Sequence, residues 1–240
     1  MLSEYLSIVI PCKNEEGYIR KTLLSINDQF DINDVSVYVM DGESTDNTVQ
    51  IVTELKSKVK YKLYIDKGGK VGVARNRGCN LVTTPYVLFL DADTPLLHTR
   101  ICYDGVTKLM NGFELVTCNL KCVTNDTMCK MAFTLFNCVH KLLPVPFAPG
   151  AFFLTNVDRF NQLGGFDENI IQSEDFVLSK QYDMNKFTIM DYFVGQDERR
   201  FTEMGYLTFI KLLIINYLNR DNKLYFYKAY KNYWKRYEKT

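Results

Sequence analysis

Two carboxylates, Asp91 and Asp93, directly follow an unbroken apolar run at residues 86–90. Such a run is typical of a strand buried on both faces of a parallel sheet. The strand has to end at the acids, because carboxylates are not buried unpaired and Pro95 cannot donate to a ladder. Open α/β sheets bind ligands at this end, where two hard oxygen ligands suit a divalent cation held with substrate phosphates. A solvated turn after a buried strand is the alternative.

Alternating strands and helices are predicted to position these acids. Strands are expected at residues 7–11, 35–40, 61–65 and 86–90, each followed by a helix, which favours βαβ units and a parallel sheet. Asn14 is predicted to cap the first helix, with Glu15 and Glu16 in its first turn. Further on, we expect helices at 96–110, 128–142 and 176–182, the last opened by Ser173, and strands at 114–123 and 187–194.

The totals for the chain limit the classes of function. The net charge is +1 over 240 residues, which gives no electrostatic reason to expect a nucleic-acid partner. No secretory signal is visible at the N-terminus, and seven cysteines favour free thiols in a reducing compartment, so we expect a cytoplasmic protein. The longest apolar stretch, at 207–218, is too short and too polar to span a bilayer.

Polar motifs recur at strand ends and helix starts along the chain. Residues 7–11 precede Asn14-Glu15-Glu16, residues 39–48 contain Asp41, and residues 72–78 contain Arg75. The Asp91-Ala92-Asp93 motif, a Gly-Gly-Phe-Asp turn at 164–167 and Glu174-Asp175 follow. Each motif is weak alone, but their order and spacing together resemble the family 2, GT-A-type glycosyltransferases over roughly residues 5–200. The resemblance implies a Rossmann-like α/β/α sandwich with a mostly parallel central sheet and additional C-terminal helices.

The resemblance also implies a nucleotide-sugar donor site. Pro11, Asn14 and Glu15 would line the nucleotide site, and Asp41 would accept a hydrogen bond from a uracil N–H, so a UDP-sugar is expected. Glu43 departs from the family pattern, which usually has two acids and then glycine, and it is given no role. Arg75 would approach the diphosphate, where a guanidinium suits phosphate oxygens.

The resemblance further implies metal ligands, a general base and a basic pair that closes over the donor phosphates. Asp93 would ligate Mn²⁺ or Mg²⁺, and Asp91 would contact the ribose or a metal-bound water. Asp175 matches the general base that deprotonates an acceptor hydroxyl on a glycan, lipid or protein, which implies inversion, and Glu174 would bind acceptor or orient Asp175. Arg199 and Arg200 match a basic pair that closes over the donor phosphates in several family branches, and a solvated charged turn is the alternative.

Two other functions fit parts of the sequence. A nucleotidyltransferase also uses paired carboxylates and Mg²⁺, but residues 12–15 do not resemble its expected Gly-rich basic loop. A non-catalytic membrane-docking or scaffold protein on the same fold is the other alternative, and the intact Arg75, Asp93 and Asp175 argue against it. The 147–152 segment resembles the family's acceptor side and is equally compatible with an ordinary loop and core strand.

The C-terminal residues carry a separate signal. We expect a catalytic domain at 1–204 and a helical tail at 205–240 whose residues 223–239 interleave lysine and arginine with aromatics. That composition suits the cytosolic face of an anionic membrane, whereas packing on the domain or a homodimer interface are the alternatives. A zinc site could be suspected at Cys118, Cys122, Cys129, Cys138 and His140. Their spacing and apolar context disfavour zinc, so we expect the cysteines to be buried free thiols.

Overall fold

Seven strands form one mixed sheet in the computed structural model, which describes residues 1–170 and 172–228. The order across the sheet is β3-β2-β1-β4-β6-β5-β7. All neighbouring strands are parallel except β6, which is antiparallel to both β4 and β5. This confirms the expected sandwich with a mostly parallel sheet. The strands are β1 (Leu6–Cys12), β2 (Ser36–Asp41), β3 (Lys62–Lys67), β4 (Tyr86–Phe89), β5 (Leu115–Cys122), β6 (Phe153–Asn156) and β7 (Phe187–Gln196).

Helices cover both faces of the sheet, as the alternation of side chains along β1 requires. Ile8 and Ile10 pack in one core with the first, second and fourth helices, while Val9 packs in the opposite core with the third and Phe166. The helices are α1 (Ile19–Asn27), α2 (Thr48–Leu55), α3 (Val71–Cys79), α4 (Ile101–Met110), α5 (Thr127–His140), α6 (Val157–Gln162), α7 (Glu174–Ser179), α8 (Arg199–Met204), α9 (Tyr206–Leu218) and α10 (Lys223–Phe226).

The described part of the tail packs against the domain. Phe226 is fully buried and shares a small core with Ile170, Phe176 and Val177. Lys223 forms an ion pair with Asp167 at 3.1 Å. The predicted membrane or dimer role of the tail stays a prediction, and its aromatic residues Tyr230, Tyr233, Trp234 and Tyr237 lie outside the described residues. Within the part of the chain that is described, no helix is long and apolar enough to cross a bilayer.

Two predicted helix starts are wrong, and at a third the predicted cap makes no side-chain hydrogen bond. The first helix begins at Ile19, because Asn14 adopts a φ of 55° and its side-chain oxygen accepts from the Thr45 N–H at 2.8 Å. The fourth begins at Ile101 rather than residue 96, since the Leu96 N–H is engaged by the Ser25 hydroxyl at 2.9 Å. Ser173 precedes α7 in the left-handed region, with a φ of 59°, and does not cap it.

Close approach of α3 to the sheet requires glycine at position 78. A β-carbon built there would lie 2.3 Å from Val9 Cγ1 and 3.0 Å from Met40 Cγ. We expect Gly78→Ala to lower the free energy of unfolding by about 1–3 kcal/mol, measured by urea denaturation, because the overpacked helix must move away from β1. Gly17→Ala is the control, since nothing lies within 4 Å of its β-carbon. Equal stability of the two variants would contradict this packing.

Candidate active site

The carboxyl ends of β1, β2 and β4 meet at one edge of the sheet, because these three strands are parallel neighbours. Asp41 ends β2 opposite Cys12, the last residue of β1. Asp91 and Asp93 follow β4, whose register continues when the Leu90 N–H donates to the Val9 carbonyl at 3.0 Å. The structure therefore brings the first-strand motif, Asp41 and the Asp-x-Asp motif to the edge where the sequence predicts them.

Arg75 joins two of the predicted motifs inside the protein. Its guanidinium, from α3, donates to Asp91 Oδ1 at 2.7 Å and to Glu174 Oε1 at 2.5 Å. The side chain is 2% exposed and stacks on Phe166 at 5.1 Å from the ring centroid. Burial alone would lower the pKa of Arg75, but the two carboxylates raise it overall, so the guanidinium stays charged. The expected diphosphate contact of Arg75 thus remains a prediction, beside these two observed partners.

Gly150 makes room for this ion cluster. A β-carbon at that position would lie 2.1 Å from Arg75 Nη2 and 3.1 Å from Asp91 Oδ1. The Gly150 N–H also donates to Asp175 Oδ2 at 2.8 Å. The 147–152 segment therefore contacts the Glu174-Asp175 motif directly.

Asp175 is oriented by backbone donors at the start of α7. Its Oδ2 accepts from Gly150 and its Oδ1 accepts from the Phe176 N–H at 2.8 Å. Glu174 beside it is buried, and burial raises its pKa against the lowering effect of Arg75. The partly exposed Asp175 is thus the carboxylate of the pair that can reach an incoming group.

A contact from the tail supports this motif. Ser173, whose left-handed backbone leads into α7, accepts a hydrogen bond on Oγ from Asn216 Nδ2 at 2.7 Å. Asn216 is buried in α9, and its Oδ1 accepts from the Tyr225 hydroxyl at 2.7 Å. The chain beyond residue 205 therefore fixes the segment that carries Asp175.

A second ion cluster joins the β1 motif to the Asp-x-Asp motif. Arg199 donates to both Glu15 carboxylate oxygens, at 2.9 and 3.2 Å, and to Asp93 Oδ2 at 2.5 Å. The guanidinium also lies 4.4 Å from the Tyr18 ring centroid. Burial, followed by the nearby charge of Asp93, raises the pKa of Glu15 to about 7. Arg200 is exposed and lowers the pKa of Asp91 through its charge.

Asp41 and Asn14 shape the loop that follows β2. Asp41 Oδ1 accepts from the Ser44 hydroxyl at 2.5 Å, and the Asn14 N–H donates to the Ser44 oxygen at 2.9 Å. Pro11 is buried in β1 and pairs in register with Met40. Glu43 is exposed and adopts a φ of 63°.

Asp91 and Asp93 are the side chains at this edge whose chemistry suits a hard divalent cation, because they carry oxygen ligands one residue apart in the sequence. Glu15 shares Arg199 with Asp93. Burial raises the pKa of Asp91, Arg75 opposes this shift, and the charge of Asp93 adds to it. A bound cation would offset the cost of bringing these carboxylates together.

The structure does not bring the five candidate zinc ligands together. Cys122 and Cys129 lie with Glu198 in a group whose possible ligand atoms are all within 4.8 Å of one another. Cys118, Cys138 and His140 are not members of that group. His140 instead bonds the Phe147 carbonyl at 2.6 Å.

Sequence reasoning missed the ion pairs, Gly150 and Asn216. Arg75 and Asp91 were both singled out, but nothing in their spacing shows that they pair. Asn216 stands out as an amide in an apolar helix, and that was the available signal.

The chain has the GT-A glycosyltransferase fold. The mannosyltransferase PcManGT from Pyrobaculum calidifontis, with GDP-Man and Mn²⁺, superposes with a TM-score of 0.70 at 18% identity over 92% of this chain and 64% of that one. S. aureus TarS 1-349 in complex with UDP-GlcNAc superposes with a TM-score of 0.63 at 21% identity, over 81% of this chain and 59% of that one. Residues 7–103 match the model of glycosyl transferase family 2. The family model thus covers the part of the chain that holds β1 to β4, and the fold of the whole chain is that of the GT-A glycosyltransferases.

One curated relative aligns along most of the chain. The processive diacylglycerol beta-glycosyltransferase of Mycoplasma genitalium is 23% identical over 93% of this chain and 66% of its own length. The chain spans between 25% and 66% of the length of the first curated relatives it matches.

Removing Arg75 tests the buried ion cluster. We expect Arg75→Met to lower the free energy of unfolding by about 3–5 kcal/mol, because Asp91 and Glu174 would be left buried without a counter-charge. Arg20→Met is the control, since Arg20 pairs with Glu54 at 3.0 Å on the surface and should cost less than about 1 kcal/mol. Denaturation curves that rank the two variants equally would contradict the assignment.

The raised pKa of Glu15 predicts a pH dependence. Because the folded pKa of about 7 exceeds the ordinary value of 4.5, the folded chain holds this proton more tightly. Its stabilising effect is complete below the ordinary value and is lost as the pH rises through the folded pKa. We therefore expect the Tm of Glu15→Gln, relative to wild type, to increase between about pH 5 and pH 8. A difference that stays constant across this range would refute the shift.

Proposed function

We propose that this chain is a metal-dependent, inverting glycosyltransferase that moves a sugar from a nucleotide-sugar, specifically a UDP-sugar, to an acceptor hydroxyl. One observation carries the proposal. Arg75 holds the Asp-x-Asp motif and the Glu174-Asp175 motif together through two hydrogen bonds of 2.7 Å or less. This bridge supports a donor site and a base that would act together at the ligand-binding edge of the sheet.

The nucleotide would occupy the edge formed by the β1 and β2 ends. Asp41 would accept from the base, and Pro11, Asn14 and Glu15 would line the site. TarS in complex with UDP-GlcNAc and PcManGT with GDP-Man support a nucleotide-sugar in general. A uracil base is the finer proposal, and it rests on Asp41.

Asp93 and Asp91 would hold Mn²⁺ or Mg²⁺. Such a cation stabilises the negative charge that develops on the leaving nucleoside diphosphate. Arg199 and Arg200 would bind the phosphates, and Arg199 would do so by exchanging its bonds to Glu15 and Asp93 for bonds to phosphate oxygens.

Asp175 would take the proton from the acceptor hydroxyl as that oxygen attacks the anomeric carbon. Its two backbone hydrogen bonds fix the carboxylate without neutralising it. Glu174, tied to Arg75, would orient the motif. Direct displacement by one activated hydroxyl inverts the anomeric centre.

The acceptor class is a finer proposal. A glycan, lipid or protein hydroxyl each fits the proposed chemistry. The name of the Mycoplasma genitalium relative includes diacylglycerol, and that relative aligns with 93% of this chain, which supports a lipid acceptor. The enzyme would act in the cytoplasm, on the cytosolic face of the membrane.

Release of nucleoside diphosphate from UDP-GlcNAc, UDP-glucose and GDP-mannose tests the proposal. We expect release from one UDP-sugar that stops with EDTA and returns with Mn²⁺. Asp175→Asn should lower kcat by about 10²–10⁴-fold while leaving the Kd of UDP unchanged, because the base acts after the donor is bound.

Asp66→Asn is the control for the base variant, since Asp66 is an exposed acid on β3. Product anomers that retain the donor configuration would exclude the base role of Asp175. No release from any donor would favour the scaffold alternative, and release of inorganic pyrophosphate from a nucleoside triphosphate would favour the nucleotidyltransferase.

A further inference from the structure

An apolar stripe runs along the solvent side of α5. Met131, Leu135 and Val139 lie on one face at helical spacing and are strongly exposed, with Leu135 at 57%. The opposite side of the helix carries the buried Cys129 and Phe133. Soluble surfaces seldom expose such a contiguous row without a partner.

The helix α9 exposes a matching stripe. Leu207, Ile214 and Leu218 lie on one face, with Leu207 at 74% and Leu218 at 69% exposed. Its buried side carries Leu212 and Asn216. Each of the two helices therefore has two apolar faces. One face packs on the protein and the other is exposed to solvent.

The two helices that carry the stripes are connected through shared aromatic residues. At one end, Phe201 contacts Phe133 of α5 at 5.3 Å and Phe209 of α9 at 4.9 Å between ring centroids. At the other end, His140 of α5 bonds Phe147, which shares a core with Tyr217 of α9. Together these six exposed side chains, Met131, Leu135, Val139, Leu207, Ile214 and Leu218, form what we term the α5–α9 face.

The two helices that carry this face contain basic residues and no acidic ones. Residues 127–142 and 206–218 contain no aspartate or glutamate, whereas Lys130, Lys141 and Lys211 are exposed there. Of these, Lys141 lies 3.4 Å from Asp191 on β7. Lysines beside exposed apolar residues are the pattern of helices that lie in the interface of an anionic bilayer.

We propose that the α5–α9 face lies on an anionic membrane surface, with its apolar residues among the acyl chains and its lysines at the phosphates. A second copy of the chain fits the face less well. A two-fold interface would place the same lysine-bearing patch against itself, without acidic residues on either helix to compensate. A bilayer containing acidic lipids supplies those counter-charges.

The buried sides of the same two helices contact the acceptor side of the site. The end of α5 contacts Phe147, three residues before Gly150, whose N–H donates to Asp175. Asn216 of α9 bonds Ser173, two residues before Asp175. A membrane on this face would present a lipid hydroxyl to Asp175, a consequence that rests on the proposed function.

Vesicle flotation of the full chain tests the proposal. The probes are vesicles of phosphatidylcholine alone and of phosphatidylcholine with phosphatidylglycerol in a roughly 2:1 mixture. We expect wild type to float with the anionic vesicles, and Met131→Ser/Leu135→Ser to bind them at least about tenfold more weakly. Lys130→Gln/Lys211→Gln should weaken binding to the anionic vesicles by about tenfold or more.

Leu24→Ser/Met110→Ser is the matched control, because both residues are exposed apolar side chains on other helices. It should float as wild type does. Wild type that stays in solution, or a Met131→Ser/Leu135→Ser variant that floats as well as wild type, would overturn the proposal. A wild-type dimer that this variant converts to monomer, with no flotation, would assign the face to a second copy.

Diphosphate release from donor without vesicles separates this proposal from the proposed function. The Met131→Ser/Leu135→Ser variant should release diphosphate at the wild-type rate, which also shows that it is folded. If wild type floats but releases no diphosphate, the membrane-binding face stands and the proposed transferase activity is wrong. If wild type releases diphosphate but does not float, the transferase activity stands and the membrane-binding face is wrong.

Discussion

The buried Arg75 guanidinium is the constraint on which the site depends. It lies 2% exposed between Asp91 at the end of β4 and Glu174 at the start of α7. It is the shared counter-charge of the buried Glu174 and the partly exposed Asp91, and its removal would be strongly destabilising. Gly150 is needed beside it because any larger residue would collide with the guanidinium. One cation thus fixes the relative positions of the Asp-x-Asp motif and the Glu174-Asp175 motif.

Arg199 differs from Arg75 in its burial and in the residues that it bridges. Arg199 is only partly buried and bridges Glu15 and Asp93, two residues that the proposed donor complex needs for other partners. Its carboxylate bonds hold negative charges together in this state, and phosphates or a metal ion would compete for the same atoms. Under the proposed function, Arg75 would keep its two carboxylate partners throughout, and Arg199 would exchange its partners when the donor binds.

The sequence predicted the elements and the functional edge better than the contacts between them. Periodicity and strand-end acids located β1, β2 and β4 and so Asp41, Asp91 and Asp93, because parallel strands bring their carboxyl ends together. The helix start at Asn14 failed because this residue uses left-handed backbone and bonds Thr45. Ser173 does open α7, but its side chain bonds Asn216 instead of capping the helix. The pairing of Arg75 with Glu174 spans 99 positions, and local patterns carry no information about it.

Calorimetric binding of UDP, with and without Mn²⁺, to wild type and Asp93→Asn tests the central claim most directly. A metal-bridged donor site predicts binding to wild type that strengthens at least about tenfold with Mn²⁺, and a variant that loses this gain. GDP, measured in parallel, should bind more weakly if Asp41 reads the uracil N–H. Binding of UDP to wild type that ignores Mn²⁺, or the same metal response in Asp93→Asn, would contradict the account.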